Sequence, residues 1–325
     1  MCGIAGVVDY KRPPDLPAVR RILKAQRHRG PDHAGLTPVG PCVLGHNRLS
    51  VLDASPAAHQ PMCRSGVSLT YNGEIYNFQE KRLELERDGV IFQSHSDTEV
   101  LLHLYLKYGR GCLKHIRGVY AFAIWDSHDN TLFCARDPLG VRPFLYAKID
   151  GRFIFASELK GLLASGFIPR TVSRQSISAL LRRGSVPQPS TMLEEVYWLL
   201  PGHALVLTEE KTPEIYRFKV IHENFSQINA PYQEILEQGR YLLKDIVRSQ
   251  MVADAPLGAF LSGGVDSSLL VALMTHEHGD VRTFSVGFED CPGDAELDET
   301  ENARLVAEHL GCKHTSVLIG QAEVL

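Results

Sequence analysis

The chain has 325 residues, enough for two domains with sizeable cores. Its formal charge of −4 points away from nucleic acid, and no apolar run approaches the roughly 20 residues of a membrane span. Seven cysteines, an odd number without a Cys-x-x-Cys pair, give neither a disulfide framework nor zinc spacing and suit a reducing cytoplasm.

The chain opens Met1-Cys2-Gly3-Ile4-Ala5-Gly6-Val7, and methionine is normally clipped when the next side chain is small. Cys2 then carries a thiol and a free α-amine on one residue. With ordinary pKa values near ~8.5 and ~8, the amine can act as base for its own nucleophile. A lone cysteine near a terminus is also commonly a small buried residue. Asp9, Lys11 and Arg12 interrupt any signal-peptide core.

Strand-like stretches follow at Ile4 to Val8, Val67 to Tyr71, Tyr120 to Trp125 and Thr131 to Cys134. Between them Ser96-Asp97-Thr98-Glu99 reads as a capping box. It opens a helix with Val100, Leu101, Leu104, Tyr105 and Tyr108 at helical spacing and Gly109 as its stop. Phe144 to Ala156 reads as a hairpin turning at Asp150-Gly151. Sequential strands with helices at intervals argue for sheet packed on sheet with helices outside. Prolines 187, 189, 201, 213 and 231 then loosen the texture around short strands such as Ala204 to Leu207, and a domain junction is placed near Pro213.

Beyond it the period changes. Tyr232 to Ala253 carries Ile235, Leu236, Leu242, Leu243, Ile246 and Val247 on one helical face. A strand (Pro256 to Leu261), a glycine-rich turn, a helix (Ser267 to His276), a strand (Val281 to Phe288), a helix (Glu299 to Leu310) and a strand (His314 to Ile319) come next. Strands alternating with helices indicate a parallel α/β sheet.

The turn reads Ser262-Gly263-Gly264-Val265-Asp266-Ser267-Ser268. Two glycines let backbone approach a ligand, the serines supply hydroxyls, and a helix start favours bound phosphate. It is neither a Walker A loop nor GxGxxG, and a tight serine-capped turn would look similar. His276-Glu277-His278, at i,i+2 spacing, sends its imidazoles to different helix faces and is not read as a metal site. Cys42, Cys63, Cys112, Cys134, Cys291 and Cys312 are read as buried small residues.

The heptapeptide resembles the pyrophosphate loop of the ATP-pyrophosphatases. Cys2-Gly3-Ile4, Arg27 to Asp32, His46-Asn47-Arg48-Leu49-Ser50, Tyr71 to Asn77 and Ser96 to Glu99 appear in order and resemble the class II glutamine amidotransferase domain. Together they make the whole chain similar to the glutamine-hydrolysing asparagine synthetases. The resemblance implies an αββα sandwich of the N-terminal-nucleophile hydrolase type over residues 1–213. An incomplete ATP-binding α/β domain is implied over 214–325.

It assigns Cys2 as nucleophile, with Asn72 (side chain) and Gly73 (backbone N–H) as oxyanion donors. Arg48 takes the glutamine α-carboxylate; Glu74 and Asp97 take its ammonium. Leu261, Ser262, Gly263, Gly264, Asp266, Ser267 and Val286 contact ATP, with Asp266 also on Mg²⁺. Arg29 and Asp32 are expected to support the pocket. Blander readings stand beside several of these: Asp97 gains from the helix dipole in any first turn, Arg48 could be a surface ion pair, and Asn72-Gly73 could be a turn.

The resemblance also implies glutamine, ATP and aspartate as substrates, leaves room for a homodimer, and implies no nucleic-acid or membrane partner. Related two-domain proteins amidate other acceptors, and the residues around the loop do not choose between them. The sequence stops after the third parallel strand, before any SGxGxDE-type motif. The expectation is therefore glutamine hydrolysis without asparagine formation.

Overall fold

A computed structural model of the chain describes residues 1–209, 212–220, 229–288 and 298–320. The chain divides into two compact units, Met1–Asn224 and Phe225–Leu325.

The first unit contains twelve strands among its described residues. These are β1 (Gly3–Val8), β2 (His33–Val39), β3 (Cys42–Arg48), β4 (Met62–Arg64), β5 (Val67–Ile75) and β6 (Gly118–Asp126). They continue with β7 (Thr131–Arg136), β8 (Leu145–Ile149), β9 (Arg152–Ala156), β10 (Val196–Trp198), β11 (His203–Leu207) and β12 (Glu214–Arg217). Its helices are α1 (Leu16–Ala25), α2 (Phe78–Arg87), α3 (Asp97–Tyr108), α4 (Leu159–Ala164) and α5 (Arg174–Arg183). The strands form two six-stranded antiparallel sheets, ordered β10-β8-β9-β1-β3-β2 and β12-β11-β7-β6-β5-β4.

Side-chain alternation explains the layering. Ile4 and Val8 of β1, with Cys42 and Leu44 of β3, meet Ala121, Ala123 and Trp125 of β6 and Cys134 of β7 between the sheets. Ala5, Val7 and Val43, pointing the other way, pack on Ala18, Val19 and Ile22 of α1 and Leu162 of α4. Tyr105 of α3 stacks on Phe133 of β7 on the outer side of the second sheet. The unit is therefore a helix–sheet–sheet–helix sandwich, as the sequence reading expected. Because β1 and β3 are covered on both faces, every residue of each is buried. The hairpin turns at Asp150 and Gly151, both at positive φ, as its dipeptide demands.

The second unit comprises α6 (Tyr232–Gln250), β13 (Gly258–Phe260), α7 (Val265–His278), β14 (Arg282–Phe288), α8 (Thr300–His309) and β15 (Lys313–Ile319). Its sheet is parallel, in the order β13-β14-β15. Leu261, Val271, Ala303 and Ala307 form its small core, while Phe284, Val286 and Val317 are exposed.

Several expectations are corrected. The junction lies beyond Pro213, because β12 pairs with β11 and belongs to the first unit. The capping box is only half made: Ser96 Oγ accepts from Glu99 N, but the Glu99 carboxylate turns to Gln93 N and Ser94 N. α6 ends at Gln250, and of its apolar face Val247 is buried while Leu242 and Ile246 are exposed. Cys63 is exposed and Cys312 half-buried; Cys42, Cys112 and Cys134 are buried, and Cys291 lies outside the described residues.

Phe155, fully buried and stacked on Phe144 at 5.3 Å, anchors the inter-sheet core. Phe155→Ala should cost about 3–5 kcal/mol in denaturant unfolding. Leu181→Ala, on the exposed face of α5, should stay within about 0.5 kcal/mol.

Candidate active site

One end of the sandwich gathers the residues the motifs singled out. Cys2 precedes β1, Arg48 ends β3, Asn72 to Glu74 lie on β5, and Asp97 opens α3. All six line a single pocket of about 220 Å³, together with Leu49, Gln60, Tyr71 and Arg142. Cys2 and Arg48 come from one sheet and Asn72 to Glu74 from the other, so the pocket depends on how the sheets are held together. Thr70 Oγ1 donates to Gly45 O at 2.9 Å, and His46 Nε2 lies 3.0 Å from Tyr71 O. Burial pulls His46 down to about 3, so its imidazole is neutral and its N–H can donate to that carbonyl.

The thiol is held on both sides. Leu49 N–H donates to Cys2 Sγ at 3.4 Å, and Sγ lies 3.7 Å from Leu49 O. Burial, the largest influence, raises the thiol pKa, so a base is needed to make the thiolate. Met1 precedes Cys2 in this chain, so the Cys2 nitrogen is here an amide standing where a processed chain would have its α-amine. Arg29 Nε donates to Cys2 O at 2.9 Å while its Nη1 bonds Glu158 at 3.0 Å. Asp32 accepts from Ser50 N at 2.7 Å. Both therefore brace the chain around Cys2.

Asn72 is buried, and its Nδ2 has no hydrogen-bond partner. A buried donor left unspent is costly, which marks it as available to a ligand. At Gly73 a Cβ would stand 2.4 Å from Val119 O and 2.7 Å from Tyr120 Cα, so only glycine lets β5 and β6 approach here.

The ionic groups divide by sign. Asp97 Oδ2 accepts from Tyr71 Oη at 2.7 Å and Ile75 N at 3.0 Å, while Ser96 does the capping. Burial raises the Asp97 pKa despite these bonds. Glu74 is pushed up to about 7, first by burial and then by the Asp97 charge, against the pull of Arg142. Arg48 is buried rather than a surface ion pair, and donates to the carbonyls of Leu52, Ser55 and Asp53. Three of its five donors hold that loop, leaving two for a ligand.

Sequence reading missed Gln60 and Arg142, and held Leu49 and Tyr71 within its motifs without giving them a role. Gln60 accepts from Tyr71 N at 2.7 Å and donates to Thr98 Oγ1 at 3.1 Å, tying β5 to α3. No spacing rule links such residues; only the Asp137-Pro138 turn ahead of Arg142 was a visible signal.

In the second unit the residues from Leu261 to Ser267 that the sequence reading assigned to a nucleotide lie together at the β13–α7 turn. Ser262 and Ser267 share a hydroxyl contact of 2.9 Å, and Ser267 Oγ donates to Gly264 O at 3.2 Å. Gly263 has φ +79°, with Asn302 Cβ 2.6 Å from where its own Cβ would stand. Leu261 is buried and its N–H donates to Phe284 O at 2.8 Å, whereas Val286 on β14 is exposed. Ser268 Oγ is buried without a partner, an orphan that suits a phosphate oxygen. Among the described residues no group of three or more His, Cys, Asp or Glu could hold a metal. Asp266, exposed at the helix start, is a single carboxylate and suits a magnesium carried largely by nucleotide phosphates. Among those residues, too, no helix is long and apolar enough to cross a membrane.

The fold has a counterpart among solved structures. It is shared with glutamine phosphoribosylpyrophosphate amidotransferase from B. subtilis complexed with ADP and GMP, at a TM-score of 0.52 and 20% identity over 97% of this chain and 65% of that one. Residues 1–219 match the glutamine amidotransferase domain model, and residues 238–325 the asparagine synthase model. The chain thus belongs to the glutamine amidotransferase family. It is 33% identical to putative asparagine synthetase [glutamine-hydrolyzing] 2 of Methanocaldococcus jannaschii over 97% of its length and 64% of the relative's. It is 34% identical to asparagine synthetase [glutamine-hydrolyzing] 1 of Bacillus subtilis over 100% of its length and 51% of the relative's. The chain therefore spans between half and two thirds of those relatives.

His46→Leu should cost about 1–3 kcal/mol by leaving the Tyr71 carbonyl unpaired in the interior, as read from denaturant unfolding. Thr70→Val, which removes a second hydrogen bond from a Gly45 carbonyl that stays in the strand ladder, should cost less, about 0.5–1.5 kcal/mol.

Proposed function

We propose that this chain hydrolyses glutamine to glutamate and ammonia at Cys2, as the amide-donating part of an asparagine-synthetase-like amidotransferase. The observation that carries this is the unspent Asn72 amide, buried in the same pocket wall as the Cys2 thiol.

Removal of Met1 frees the Cys2 α-amine. The amine takes the thiol proton as Sγ attacks the γ-carbonyl carbon of glutamine. The C=O electron pair moves to oxygen, where Asn72 Nδ2 and the Gly73 N–H receive it. The C–N bond then breaks, the amine returns its proton to the leaving nitrogen, and ammonia departs from a γ-glutamyl thioester. Water, deprotonated by the same amine, cleaves the thioester to glutamate and restores the thiol. Arg48 anchors the α-carboxylate through its two remaining donors, and Glu74 with Asp97 holds the α-ammonium.

The second unit is proposed to use ATP, with Mg²⁺ brought by the nucleotide, at Leu261, Ser262, Gly263, Gly264, Asp266, Ser267 and Val286. Adenylation of an acceptor carboxylate would release pyrophosphate, and ammonia would then displace AMP. Aspartate is the acceptor that the relatives' names favour. The setting proposed is cytoplasmic.

Cys2→Ala should abolish ammonia release from glutamine while leaving the unfolding midpoint near that of the parent. Glu74 supplies a pH test, measured as glutamine affinity in that inactive variant. Its raised pKa means that it is protonated, and uncharged toward ammonium, below about 7. Affinity should therefore fall as pH is lowered, by about tenfold from pH 8 to pH 6. Glu74→Gln should flatten the profile. A parent profile that is flat between these values would remove Glu74 from the ammonium site.

A further inference from the structure

Arg142 lines the glutamine pocket and has no part in the steps above. Its backbone is fixed from both directions. Asp137 Oδ2 accepts from Arg142 N at 3.0 Å, and Arg136 Nε donates to Arg142 O at 2.8 Å. Asp137 Oδ1 also accepts from Leu139 N and Val141 N, each at 3.0 Å, and Arg136 Nη2 donates to Gly140 O at 2.7 Å. The segment from 137 to 142 thus closes on itself and holds the Arg142 Cα without using its side chain.

That side chain is unspent. Its Nε is buried with no hydrogen-bond partner, and its guanidinium makes no ion pair among the described residues. A braced backbone that carries free cationic donors to the wall of a substrate pocket is the arrangement of a ligand contact, since an unused buried donor is otherwise a pure cost.

The pocket indicates which group it meets. Arg142 lines the same small pocket as Arg48, Glu74 and Asp97 and acts electrostatically on Glu74, so it stands near the end proposed to receive the α-ammonium. In an α-amino acid the carboxylate is attached to the same carbon as that ammonium. A carboxylate offers about four acceptor positions, and Arg48 has two donors left after holding its loop. The geometry points to Arg142 as a second anchor for the substrate's α-carboxylate. It is thereby the residue that makes the pocket select free glutamine over glutamine whose α-carboxyl is amidated or in a peptide bond. This rests on the glutamine reading above.

The test compares L-glutamine with its α-amide, in which the carboxylate is replaced by a neutral group. Ammonia release by the full chain is measured for the parent, Arg142→Gln and Arg142→Lys. For glutamine, Arg142→Gln should raise KM roughly 10- to 100-fold, as expected for loss of a charge-assisted hydrogen bond, with kcat changing much less. For the α-amide, KM should stay at the parent value. Arg142→Lys should recover part of the loss, and the thermal midpoints should agree. Equal losses on both substrates would reduce Arg142 to a brace, and no change on either would also overturn the anchor. Calorimetric binding of glutamine to the same chains separates the two levels. A parent that binds no glutamine contradicts the glutamine reading and the anchor with it; a parent that binds while Arg142→Gln binds equally contradicts the anchor alone.

Discussion

The site depends on two polar links buried between the sheets. Thr70 to Gly45 and His46 to Tyr71 join β3 to β5 through an interior lined mainly by apolar side chains. An apolar interface fixes the spacing of two sheets but resists sliding weakly, whereas a buried hydrogen bond is lost completely by a small shift. These links therefore set the register of Arg48 against Asn72 and Gly73, one to three residues beyond them on their strands. Cys2 follows because β1 is registered on β3, with Gly3 opposite Asn47. Neutral His46 is essential to this, since a charged imidazole there would carry an uncompensated charge into the core.

The pocket then concentrates charge where burial makes charge expensive. Two carboxylates, Glu74 and Asp97, share one wall, where burial raises the proton affinity of both and the Asp97 charge raises that of Glu74 further. Neither has an ion-pair partner within the chain among the described residues. A ligand that brings an ammonium to that wall and a carboxylate to Arg48 supplies both missing partners at once. The thiol fits the same scheme. Burial keeps it protonated until a base is at hand, so a nucleophile carrying its own amine is the economical solution.

Much of this was legible in the sequence, for reasons that differ between elements. β1, β5, β6 and β7 show strand-like apolar stretches, and the Asp150-Gly151 turn needs positive φ, so both declare themselves locally. Asn72, Gly73, Arg48 and Asp97 were legible only as an ordered set, since each alone has a commonplace reading. β2 and β3 were not: β3 is buried on both faces and so shows no alternation. α1 was passed over although Asp15 caps it and a proline stands in its first turn, a start signal that needed no tertiary knowledge. α2 is mostly charged and offers no apolar stripe. Glu99 was misassigned because its capping partner was displaced by a better one, the Gln93 and Ser94 amides, which only the folded loop provides. The junction was set early because Pro213 was taken as a boundary, although β12 follows it and still belongs to the first unit's sheet.

The central claim is that Cys2, freed of Met1, is the nucleophile. Mass spectrometry of the chain quenched in acid during glutamine turnover tests it most directly. The expected result is an N-terminal peptide without Met1 that carries a single γ-glutamyl group on Cys2 and loses it to hydroxylamine. Turnover of glutamine by a chain that retains Met1, with no adduct at Cys2, would contradict it.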